Sequence, residues 1–102
     1  MTETNEIFAE RRLHLRLARE TKRLLVQLGP VIRKDEASFC RYHILGFDSP
    51  ILREIWGLDD IQAVQLTLAA VGSELNRLGD DGKYSVEGDA DGEVGHGFPT
   101  LI

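Results

Sequence analysis

Residues 58–79 read LDDIQAVQLTLAAVGSELNRLG, and this stretch decides the fold. Ile61, Val64, Leu68, Val71, Leu75 and Leu78 recur at spacings of 3, 4, 3, 4 and 3. That is one apolar stripe on a helix of about five turns. Asp59 is a good N-cap, and Gln62 three residues on completes a capping-box pattern. Asp60 suits the positive end of the helix dipole. Gly79 is placed to stop the helix in the left-handed conformation.

Upstream the period changes from helical to alternating. Leu13, Leu15 and Leu17 point one way, and Arg12, His14 and Arg16 the other, so Ile7–Leu17 reads as a half-buried strand. Glu20-Thr21-Lys22 is a polar break of hairpin length. Leu24 to Leu28 forms a second strand, with Leu24, Val26 and Leu28 on one face. Gly29-Pro30 interrupts it with a bulge or an edge, because proline donates nothing to a ladder. Val31 and Ile32 resume it. Ser38 to Phe47 is a third strand, with Cys40, Tyr42 and Ile44 opposing Phe39, Arg41, His43 and Leu45. Asp48-Ser49-Pro50 is a turn, and Ile51 to Trp56 a fourth strand of open register. After the helix, Lys83 to Glu87 reads as a short strand. Residues 1–6 read as a frayed end, and residues 88–97 as a flexible, acidic, glycine-rich loop.

The order β-β-β-β-α-β in a single domain of 102 residues predicts a two-layer α+β fold. An antiparallel sheet of four to five strands packs one face on the helix. Leu13, Leu15, Leu17, Val26, Leu28, Cys40, Tyr42 and Ile44 meet the helix stripe. The second face stays open and carries Arg12, His14, Arg16, Gln27, Arg41 and His43, with Leu25, Phe39 and Leu45 among them.

The run Asp59-Asp60-Ile61-Gln62-Ala63-Val64-Gln65-Leu66, followed much later by Gly97-Phe98-Pro99, resembles a family of small bacterial proteins catalogued only as a domain of unknown function. The resemblance spans most of the chain from about residue 10. It implies N-terminal strands and one capped helix. It implies no activity, so it assigns no site residues.

Composition removes several functions. Twelve Lys and Arg stand against seventeen Asp and Glu, a net charge of -5. A generally basic nucleic-acid binder is excluded, and nucleic acid is disfavoured as a partner. The charge is uneven. Residues 1–58 hold ten basic and eight acidic residues, and residues 59–102 hold two and nine. One cysteine, Cys40, allows no intrachain disulfide and no cysteine-based zinc site, and fits a reducing cytoplasm. No secretory signal and no membrane span are read in the sequence.

The candidate sites are few. Asp89-Ala90-Asp91-Gly92 resembles part of a calcium loop, but Phe98 stands where the bidentate glutamate belongs, so no metal site is assigned. The nearby glycines lack the lysine of a phosphate loop, and no cofactor is called for. His14 and His43 would meet only if the first and third strands paired, and His96 falls in the mobile tail. Cys40 reads as buried and inert. Asp59 reads as a cap, not a catalytic carboxylate. No catalytic residue is assigned. Arg12, His14, Arg16, Phe39, Arg41 and His43 on the open face are the expected binding residues. They point first to a small non-enzymatic interaction module, as a homodimer or with a protein partner. Two alternatives stand beside it. One is a ligand-binding protein or enzyme built on His14, His43 and Arg41. The other is an inhibitor or immunity-type partner of another protein.

Overall fold

The computed structural model describes residues 6–16, 20–47, 49–80, 85–88 and 96–99. Its elements are β1 (Ala9–Arg16), β2 (Thr21–Leu28), β3 (Ile32–Lys34), β4 (Ala37–Leu45), β5 (Ile51–Gly57), α1 (Asp60–Asp80) and β6 (Ser85–Gly88). All strand pairs are antiparallel. β5 lies beside β4, and β4 beside β2 and β3 placed end to end; β1 and β6 follow. The α+β expectation holds. Leu17 and residues 81–84 lie outside the described residues, so the core role given to Leu17 has no counterpart here.

Six strand segments appear because Gly29-Pro30 divides the predicted second strand. Leu28 pairs with Tyr42, and the next pair is Ile32 with Phe39. Three residues therefore oppose two, which is a bulge with one extra residue. Gly29 donates its N–H to the Arg41 carbonyl at 2.9 Å across the interruption. Pro30 has no N–H to lose. The extra residue inverts the alternation. Val26 and Leu28 face the helix, whereas Ile32 shares the opposite face with its neighbour Phe39.

The helix caps as its sequence predicts. Asp59 Oδ1 accepts the Gln62 N–H at 2.7 Å. Gln62 Oε1 accepts the Leu58 N–H at 2.6 Å, one residue before the cap. Asp60 does more than face the helix dipole. It accepts hydrogen bonds from Ser38 at 2.5 Å and Arg33 at 3.0 Å, which tie the first turn to β4 and β3. The helix continues through Gly79 to Asp80, so Gly79 is not its stop.

The apolar stripe is rotated from the predicted one. Val71 and Leu75 are buried, but Ile61 is 67% exposed and Ala63 is fully buried in its place. Gly57 explains the rotation. A Cβ there would lie 2.4 Å from the Ala63 backbone nitrogen, so β5 and the first helical turn touch main chain to main chain. Only the small Ala63 fits that approach.

The core joins Leu13, Leu24, Val26, Leu28, Tyr42, Ile44, Val71 and Leu75, with Phe47, Ile55, Leu68 and Phe98 packed against it. Glu74 is 7% exposed inside this layer. Tyr42 donates its hydroxyl to Glu74 at 3.4 Å, Arg53 lies 3.6 Å from the carboxylate, and Arg77 pairs with it one turn on. Burial pushes the Tyr42 hydroxyl pKa up, and the Glu74 charge raises it further. A buried carboxylate is tolerated because it is paired and hydrogen-bonded.

The rotation has a measurable consequence. Leu75→Ala should cost about 2–5 kcal/mol, the range for a truncated core leucine. Ile61→Ala should stay within about 0.5 kcal/mol, as a surface change does. Urea unfolding of the two variants checks this. Equal costs would restore the stripe as the sequence draws it.

Candidate functional site

Helix α1 covers one sheet face, and the strand register lays out the other. Glu10, Gln27, His43 and Leu52 form one row across β1, β2, β4 and β5. Ile32, Phe39 and Trp56 form a second across β3, β4 and β5. Arg41 and Glu54 lie between these rows. Arg12 pairs with Leu25, and His14 with Arg23, farther along β1 and β2.

The expected binding residues therefore fall into two groups. Arg12, His14 and Arg16 are on β1, and Phe39, Arg41 and His43 are on β4. β2 runs between them, so His14 and His43 are not neighbours. The ligand or enzyme reading that needed both histidines at one pocket loses that pairing.

Phe39 is corrected as well. It is 6% exposed rather than displayed. Trp56 packs on it with ring centroids 4.7 Å apart, and the Arg41 guanidinium sits 5.1 Å from its centroid. Trp56 itself is exposed, 45% accessible, beside Leu52 at 54%. Ile51 and Ile55 turn to the helix side instead. Sequence reasoning missed Leu52 and Trp56 because the β5 alternation fits either register. The signal that fixes it is Gly57, which must meet the helix.

Glu54 binds this cluster together. Its carboxylate accepts hydrogen bonds from Arg41 Nε and Trp56 Nε1, both at 3.0 Å. The Arg41 hydrogen bond, assisted by Trp56, holds its pKa below the ordinary carboxylate range. Beside it the bulge opens a groove of about 590 Å³. Arg41, His43, Gln27 and Glu54 supply its polar lining, and Ile7, Pro30, Ile32 and Leu52 its apolar walls. Arg12, His14 and Arg16 lie outside it. Cys40 is buried beneath, on the helix side. Its thiol donates to the Gly29 carbonyl at 3.3 Å, which braces the bulge, and burial pushes its pKa up.

His96 is held in place rather than loose in a tail. It is 9% exposed. Its Nδ1 accepts the Phe98 N–H at 3.0 Å, which leaves Nε2 protonated and 2.8 Å from Asn76 Oδ1. Arg11 donates to the His96 carbonyl at 2.9 Å and lies 4.7 Å from the Phe98 ring centroid. Gly97 takes a φ of 79° there, and a Cβ would meet Arg11 at 2.5 Å. Phe98 thereby reaches the core. Asp89 and Asp91 lie outside the described residues. Among the described residues no cluster of His, Cys, Asp or Glu could hold a metal ion. No described helix is long and apolar enough to cross a membrane.

A family profile, a domain of unknown function (DUF6968), matches residues 9–100. The chain belongs to the DUF6968 family. No curated protein and no solved structure matches it. The DUF6968 match runs from the first residue of β1 past the docked Phe98. The two stretches that carried the sequence resemblance have structural duties in this DUF6968 chain. Asp59 and Gln62 cap the helix, and Gly97-Phe98 pins the terminal segment to Arg11 and the core. Neither contributes to the groove.

His96 makes stability pH-dependent. Burial, then the Arg11 charge, lowers its pKa in the folded state. The folded chain thus binds its proton less readily than the unfolded chain. The stabilisation is complete above the unfolded value of about 6.5 and is lost as pH falls from there through the folded value. Melting temperatures between pH 7.5 and 5 should fall, and His96→Gln should flatten that fall. An unchanged slope in the variant would remove His96 as the cause.

Proposed function

We propose that the protein is a small non-enzymatic interaction module whose open sheet face takes an extended, acidic and partly apolar segment of a partner protein. One observation carries this reading. The groove at the Gly29-Pro30 bulge joins apolar walls to Gln27, Arg41 and His43, beside an exposed tryptophan. Its volume of about 590 Å³ is within the usual range of binding clefts. Aromatic and arginine side chains are favoured at protein interfaces.

Charge supports an acidic segment. Glu6, Glu54 and Arg41 line the groove, while the Arg53 guanidinium lies on the helix side by Glu74. Around it the register puts Arg12, Arg16, Arg23 and Lys34 on the same sheet face, against Glu10 and Glu87. The basic surround attracts an acidic chain, while the apolar walls of the groove take its apolar side chains. The buried thiol of Cys40 supports a cytoplasmic setting, and the family resemblance a bacterial one.

A photo-reactive amino acid at Ile32, at the groove wall, tests the reading in cells that make the protein. It should give one partner adduct that Gln65, on the outer helix face, does not give. His43→Glu should weaken the adduct at least tenfold, about 1.4 kcal/mol, with the melting temperature nearly unchanged. Equal adducts from both positions, or none from Ile32, would overturn the proposal. An adduct of a small molecule would favour the ligand-binding reading instead.

A further inference from the structure

Among the described residues no strand pairs with the outer edge of β5, a second surface with a different use. Edge strands expose unpaired backbone groups, and proteins guard them with charges, prolines, bulges or short length. β3 and β6 follow that practice. β3 has three residues, including Arg33 and Lys34, and β6 has four. β5 does not. It has seven residues, no internal proline, and an unbroken register against β4 from Ile51–Ile44 to Gly57–Ser38.

The two charges of β5 do not guard its edge either. Glu54 turns back over the open face to Arg41 and Trp56. Arg53 turns back over the helix face to Glu74. Each pairs with an opposite charge within its own chain, Arg53 sharing Glu74 with Arg77. Leu52, Trp56 and the following Leu58 are exposed along it.

The sequence of this edge is complementary to itself. Leu52 and Trp56 stand two residues to either side of Glu54, and Arg53 and Ile55 one residue to either side. We propose that β5 pairs antiparallel with β5 of a second copy about a two-fold axis at Glu54, making one continuous sheet. Each Leu52 then lies opposite the partner's Trp56, an aromatic–aliphatic cross-strand pair. Each Leu58 reaches the partner's Pro50. The two helices lie on the same side. The two Glu54 carboxylates meet at the axis, where the Arg41 charge and the Trp56 N–H on each offset their mutual repulsion.

The size of the interface sets its strength. Three exposed side chains per copy bury on the order of 600 Å² in the pair, taking about 100 Å² each. Backbone pairing brings the total toward the lower end of stable interfaces, about 1,200 Å². An interface of this size lies at the weak end of the stable class.

This inference does not rest on the groove reading. Sedimentation velocity over about 1–200 µM tests it and should show a monomer–dimer equilibrium in the micromolar range. Leu52→Lys places a charge against Trp56 and should weaken it at least tenfold. Arg23→Glu, on the open face at β2, should leave it unchanged. Glu54→Cys, read on a denaturing gel after mild oxidation, should give a dimer that Glu36→Cys does not. A strict monomer at 200 µM, a dimer indifferent to Leu52→Lys, or equal cross-linking by both cysteines would overturn it. Loss of the Ile32 adduct would leave it standing.

Discussion

The hydrogen bond from Gly29 to the Arg41 carbonyl fixes where the extra residue of the sheet lies, and the two faces follow from it. Without that residue the β2 alternation would continue unbroken, and Ile32 would turn to the helix with Val26 and Leu28. With it, Ile32 joins Phe39 and Trp56 on the open face. Gly29 also adds no side chain to the line of the strand, and Pro30 beside it forms a wall. The groove is the space so left, with Arg41 and His43 of the unbroken β4 beside it. Cys40 braces the same peptide from the core side.

Polar groups connect the layers where apolar packing alone would leave orientation free. Asp60 bonds to Ser38 and Arg33, and Glu74 to Tyr42 and Arg53, so each end of the helix has a fixed point on the sheet. Gly57 sets the distance at the β5 end. Arg11 holds the terminal segment through His96 and Phe98. These contacts account for charged residues on the helix-facing side. They also leave the exposed Leu52 of the open face without a structural explanation.

Much of the fold was legible in the sequence. Alternation placed Leu13, Leu15, Val26, Leu28, Tyr42 and Ile44 in the core, and Asp59 marked the helix start. The helix stripe was misdrawn because periodicity ranks residues by hydrophobicity, whereas a close backbone approach ranks them by size. Ile61 lost to Ala63 for that reason. The site was half legible. Arg41 and His43 were found because their strand has one clear phase. Leu52 and Trp56 were not, since Ile51 and Ile55 are equally apolar. Phe39 was misplaced from display to burial because its cover comes from a neighbouring strand. His96 was misread because a lone histidine among glycines gives no local sign of the Arg11 and Asn76 that hold it.

The central claim is that the bulged, open sheet face is covered in use. Hydroxyl-radical footprinting in fresh extract of the producing cells, compared with the dilute purified chain, measures this residue by residue. The account predicts that Ile32 and His43 become protected in the extract, while exposed Ile61 on the helix reacts equally in both. Equal reactivity of Ile32 and His43 in the two samples would contradict it.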